Sequence, residues 1–215
     1  MMTISNLTLV AIITTQDYLS RTILSMEKSL ERIKPARAII ICPQEFSHQT
    51  IECVQEEIKI DYSLWILENL VNYIETDFCL IQQWDSFILD ESKWTDEFLK
   101  HDYIGALWQD NQVGNGGFSL RSKKFLDISQ NISSLLPVGE KVFGNEDFFM
   151  CVTMRRFLTK IKGISFAPAE LARQFAVERI VNDWPHNPKD LTSYNSFGFH
   201  GAFNYAAMEL LNGPQ

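Results

Sequence analysis

LTLVAIITTQDYLSRTILSMEKSLERIKPARAIIIC, residues 7–42, is the stretch that decides the fold class. Its first nine residues are apolar or threonine with no helical period, as in a strand buried on both faces. Ser20 to Arg32 reads as a helix, with Ile23, Leu24, Leu30 and Ile33 at helical spacing and charges between, and Pro35 is expected to stop it. ARAIIIC (36–42) is a second apolar strand ending before Pro43. Strand, helix, strand, with both strands apolar throughout, predicts an α/β protein built on a parallel sheet.

Working outward, the pattern predicts a helix over 48–58 and a weak strand or turn around Trp65 to Leu67. A third buried strand begins at Phe78, a short helix is expected over 93–101, and DYIGALW (102–108) reads as a strand. Ser122 is expected to cap a helix, residues 129–144 read as a loop, and Asn145 is expected to cap a helix over 146–158. ISFAP (164–168) reads as a short strand, followed by a helix over 169–174, a polar loop (182–198) and a last helix over 202–211. No repeat, low-complexity tract or linker interrupts the chain, so 1–215 is expected to form one domain.

The net charge of −8 argues against nucleic acid and anionic membrane as partners, because binding to a phosphate backbone needs clustered Lys and Arg. It leaves room for a small phosphorylated ligand, since carboxylates can hold a divalent cation that receives the phosphates. The four cysteines lack CxxC spacing and sit in apolar stretches, as reduced, buried thiols do in a cytoplasmic protein. LTLVAIITT (7–15) has no preceding Lys or Arg and is shorter than the roughly 20 residues a transmembrane helix needs. No transmembrane segment is expected.

Four segments carry chemistry. In VGNGGFSLRS (113–122), Gly114, Gly116 and Gly117 permit positive φ and close approach, and the strand that follows ends in Arg121. Asp85 closes QQWD at a strand end, where ligands of open α/β sheets collect and where an oxygen ligand suits Mg²⁺ or Mn²⁺; a turn cap is the structural alternative. Glu146 and Asp147 open a helix, where they meet its dipole or offer a general base to a hydroxyl. His200, in SFGFHG (196–201), is either a satisfied core residue or a metal ligand. There is no Walker loop, no GxGxxG and no GxSxG elbow.

In order, QQWD, DYIGALW, GNGGFSLRS, EDFF, FAPAELARQFAVE (166–178) and GFHG resemble a family of bacterial and fungal glycosyltransferase-like domains of the GT-A type. The resemblance runs from about residue 70 to 201 and implies a GT-A-like fold, a mixed, mostly parallel sheet flanked by helices. It implies transfer from a nucleotide-diphosphate sugar, with a UDP-sugar as donor and a glycan or glycoprotein as acceptor, as in polysaccharide biosynthesis. Asp85 and His200 would hold Mn²⁺ or Mg²⁺ on the donor diphosphate, although Gln83 stands where the family's D-x-D-like motif has its first Asp. Thr14, Thr15, Gln83, Trp84, Asn115, Gly116 and Gly117 would line the donor and acceptor sites, with Arg121 and Arg173 as guanidinium candidates for the leaving diphosphate. Glu146 or Asp147 would deprotonate the acceptor, which favours inversion. A catalytically weakened nucleotide-sugar-binding module is the competing reading. A two-carboxylate glycoside hydrolase is a third, but adjacent acids do not face each other across a cleft.

Overall fold

A computed structural model describes residues 1–131, 144–179 and 186–213. Strand β1 (Met2–Ile12) lies at the middle of a six-stranded sheet of order β3-β2-β1-β4-β7-β6. Its neighbours β2 (Ile33–Cys42) and β4 (Phe78–Gln82) are parallel to it, and β3 (Glu52–Gln55) is parallel to β2. β7 (Phe118–Ser122) joins β4 antiparallel, and β6 (Tyr103–Gly105) pairs antiparallel with β7 in turn. A second sheet joins β5 (Ser86–Ile88), β9 (Gly198–His200) and β8 (Ala176–Val177). The predicted α/β class, mostly parallel and flanked by helices, is what forms.

The central strands are apolar along their length because both faces are covered. Leu7, Leu9 and Val10 of β1, Ile39 to Cys42 of β2 and Leu80 of β4 are wholly buried. Helix α1 (Leu19–Leu30) packs on β2 and β5, and α2 (Tyr62–Asn69) on α3 (Lys123–Gln130). Ser122 caps α3 as expected, its Oγ accepting from Phe125 N at 3.0 Å. α6 (Ala169–Phe175) packs on β6 and β8, and the last helix, α7 (Tyr205–Glu209), is shorter than predicted. No described helix is long and apolar enough to cross a membrane.

Several local expectations are overturned. Pro35 lies inside β2, where the flank away from β1 is unpaired because β3 begins pairing only at Ile39, so the missing N–H costs no ladder bond there. The helix predicted over 48–58 is absent: the His48 ring accepts from Thr50 N and Ile51 N, and strand β3 follows. Trp65 to Leu67 are helical, in α2, with Asp61 Oδ1 accepting from Leu64 N at 3.1 Å. A short, nearly continuous apolar run does not distinguish these states by period.

The segment over 93–101 forms two 3-10 turns, Glu91–Lys93 and Asp96–Lys100, and ISFAP makes only a bridge from Phe166 to Tyr103. The helix expected over 146–158 is broken into α4 (Glu146–Phe148), a π turn (Phe149–Thr153) and α5 (Arg155–Ile161). There the Cys151 carbonyl accepts from Gln112 Nε2 and Arg155 Nη1 instead of serving a regular ladder. Asn145 makes no side-chain cap. Most of the loop expected over 129–144, and the start of that over 182–198, lie outside the described residues.

Candidate functional site

Strand directions bring three distant segments to one edge. β1 and β4 run parallel, so Thr14-Thr15 and Gln83-Trp84-Asp85 follow their carboxyl ends. β7 runs the other way with Phe118 opposite Gln82, so the glycine run that precedes it arrives at the same edge. Gly117 O accepts from Gln83 N at 2.9 Å and from Ser86 Oγ at 3.2 Å, joining the two loops.

The loop glycines serve close approach: none of Gly114, Gly116 and Gly117 uses the positive φ that glycine permits. A Cβ on Gly116 would come within 2.9 Å of both Arg121 Nη2 and Asp147 Cβ, and one on Gly117 would overlap the His200 ring. Consecutive residues of the loop thus touch the acidic pair and the histidine.

In the second sheet Ser86 pairs with His200, and Val177 with Phe199, which sets Asp85, His200 and Glu178 side by side. His200 Nε2 lies 3.0 Å from Gln83 Oε1 and 3.5 Å from Asp85 Oδ1, and Nδ1 lies 3.3 Å from Glu178 Oε1. Burial alone would lower the imidazole pKa, but Asp85 and Glu178 outweigh it and push it up to about 9. Asp85 Oδ2 accepts from Ala202 N at 3.1 Å, whereas buried Asp85 Oδ1 and His200 Nδ1 have no aligned hydrogen-bond partner among the described residues. Among those residues no three His, Cys, Asp or Glu side chains are disposed to hold a metal by themselves.

The acidic pair divides. Glu146 Oε1 accepts from Arg121 Nη2 at 2.9 Å, and both are buried. Burial works against the guanidinium charge, but Tyr103 and Glu146 hold its pKa above the usual arginine value. Arg121, expected at the surface of a ligand site, is therefore a core residue, and β7 is buried on both faces rather than alternately. Asp147 Oδ2 accepts from Gly116 N at 2.8 Å and Oδ1 from Phe148 N at 2.7 Å. Burial, then the neighbouring Glu146 charge, raises the Asp147 pKa from its ordinary value.

Asp147 borders a cavity of about 480 Å³ together with Asn115, Trp108, Phe148, Glu178 and Arg179. Glu178 closes the FAPAELARQFAVE stretch and Arg179 follows it, and neither carries an expected role; their place directly after β8, beside β9, brings them here. Arg173 does not line this cavity. Its Nη2 donates to Asn111 Oδ1 at 2.7 Å and so props the turn that carries Gln109 and Asp110 to the cavity wall. Trp84 faces elsewhere, stacked on Tyr18 at 5.5 Å with Arg21 over its ring, and Thr14 and Thr15 are exposed beyond β1.

The strand order, with a carboxylate at the β4 end and a glycine loop leading into the antiparallel β7, is that of a GT-A-like fold. The chain belongs to the family described as protein of unknown function DUF5672, whose sequence model matches residues 44–200. No curated protein matches it by sequence. Among solved structures it is similar to a glycosyltransferase involved in glycosylation of the major capsid of PBCV-1, with a TM-score of 0.55 at 12% identity, covering 96% of this chain and 97% of that one. It is also similar to the galactosyltransferase LgtC in complex with donor and acceptor sugar analogues, with a TM-score of 0.50 at 10% identity and 95% coverage of each chain. At these identities the likeness is one of fold.

Proposed function

We propose that this protein is an inverting glycosyltransferase that moves a sugar from a nucleotide-diphosphate sugar, with UDP as the carrier, to an acceptor hydroxyl. The observation that carries the reading is the glycine loop: Gly116 N is bonded to Asp147, and Gly117 lies against His200, itself beside Asp85. A base and a pair of cation ligands therefore flank one short loop, as a transfer between donor and acceptor requires.

A cation at Asp85 and His200 would displace the proton that Asp85 and Glu178 hold on the imidazole, which makes this a shared, pH-dependent seat rather than a closed cage. Buried Asp85 Oδ1 lacks a hydrogen-bond partner and faces His200 Nε2, and a hard divalent ion held by one or two protein ligands takes its remaining oxygens from phosphate. Mn²⁺ or Mg²⁺ bound there would supply charge stabilisation to the leaving diphosphate.

On the other side of the loop, Asp147 is the base: its raised pKa makes it a stronger proton acceptor, whereas Glu146 is buried in an ion pair with Arg121. The acceptor hydroxyl gives its proton to Asp147 as its oxygen bonds to the anomeric carbon. The bond from that carbon to the diphosphate oxygen breaks on the opposite face, releasing the nucleoside diphosphate.

Gln83 in place of a first carboxylate, with its Oε1 engaged by His200, favours a second reading, a nucleotide-sugar-binding module with weakened catalysis. A panel of nucleotide sugars, assayed for binding, hydrolysis and transfer with and without Mn²⁺, separates the two. Binding without turnover in every condition would sink the enzyme.

A further inference from the structure

Phe148 is 50% exposed, while the next residue, Phe149, is 3% exposed. The exposed ring stands over the cavity beside Trp108, their centroids 6.1 Å apart and their planes inclined by 47°. Two aromatic faces thus meet a wall of short planar polar groups, Gln109, Asn115, Asn145 and Asp147. Among the described residues the Gln109 and Asn145 side chains make no hydrogen bond, so they are free to serve a ligand.

A pyranose has an apolar face of C–H groups and an edge of hydroxyls. The negative face of an aromatic ring attracts the former, and amides and carboxylates, which offer paired donors and acceptors, bind the latter. The wall is too polar for a lipid chain. Asp110, Asp147 and Glu178 against Arg179 alone also make it unfavourable for a polyanion. A serine or threonine hydroxyl in a peptide has no ring to lie on Phe148.

We propose that this cavity takes the acceptor as a neutral, pyranose-terminated glycan stacked on Phe148 and Trp108. The proposal rests on the glycosyltransferase reading and deepens it, since it assigns the acceptor class. The hydroxyl edge of such a ring would face Asp147.

The test uses titration calorimetry and saturation-transfer NMR on the full chain with methyl pyranosides, lactose, cellobiose, maltose and a Ser/Thr-rich peptide. UDP with Mn²⁺ is titrated separately into the wild-type protein. At least one pyranoside is expected to bind, Phe148→Ala to weaken it by about tenfold or more, and Phe148→Tyr to restore it. Circular dichroism establishes that both variants keep the fold. Failure of every pyranoside to bind, equal affinity in Phe148→Ala, or selective binding of the peptide overturns the proposal. UDP binding in the absence of pyranoside binding overturns the acceptor assignment alone. Pyranoside binding without UDP binding overturns the transferase reading and leaves the sugar platform standing.

Discussion

At Asp147 two requirements meet in one side chain. Its oxygens hold the loop through Gly116 N and the helix start through Phe148 N, while burial and Glu146 make its proton harder to remove. Asp147→Asn is expected to lower the transfer rate by roughly 10²–10⁴-fold with donor affinity kept, as single-turnover and binding assays would report. Because the folded-state pKa is raised, ionising Asp147 costs stability as pH rises from the usual carboxylate range through the folded value. The stability of the Asn variant relative to wild type should therefore improve over that window, read by denaturant melts at several pH values, with Glu146 and Arg121 as the facing charges. Glu146→Gln should behave differently. It strands the buried Arg121 guanidinium, a loss of about 3–5 kcal/mol, seen as an early melt. Asp85→Ala should abolish the Mn²⁺ dependence of UDP-sugar affinity, and an unchanged dependence would remove its metal role.

Among the elements, the loop before β7 and the small β5-β9-β8 sheet set the geometry. Phe199 is buried against Phe87 in an edge-to-face contact of 4.8 Å, which fixes the strand that presents His200. The turn after β4 is tied to α1 from beneath: Gln82 Nε2 donates to Ser25 Oγ, Ser29 Oγ donates to Gln82 Oε1, and Ser25 Oγ donates to Ser86 O. With both sides anchored, His200 has little room to retreat from a methyl group on Gly117. Gly117→Ala is thus expected to retain its circular dichroism but lose UDP–Mn²⁺ affinity, whereas unaltered affinity would mean the loop and the ring can shift. Legibility differed between elements for the same reason. Buried parallel strands announce themselves by apolar runs, and Ser122 by its capping chemistry. β3 and α2 do not, because a few apolar residues obey either period until a neighbouring strand or helix decides.

For the whole molecule, ligand linkage offers the broadest check. A donor product and cation that bind only the folded state stabilise it by mass action, by about 2.7 kcal/mol at a hundredfold excess over Kd, and so raise the melting temperature. UDP with Mn²⁺ should therefore shift the melt more than either alone, and no shift with both would remove the shared cation seat. The sequence by itself determined the α/β class, through strands apolar enough to be buried on both faces. It also marked Asp85, Glu146, Asp147, His200 and the glycine run as candidates, through residue type and position next to strand or helix ends. Only the tertiary structure separated their environments. Antiparallel pairing of β7 with β4 brought the glycine run to Asp85, and β9 pairing with β5 brought His200 there from the far end of the chain. Burial then turned Arg121 inward onto Glu146 and left Asp147 at the cavity, while Glu178, Arg179 and Phe148 gained their places from neighbours distant in sequence. The physical reason is that local pattern fixes which surfaces must be covered, whereas the partner that covers each surface depends on contacts the local sequence does not contain.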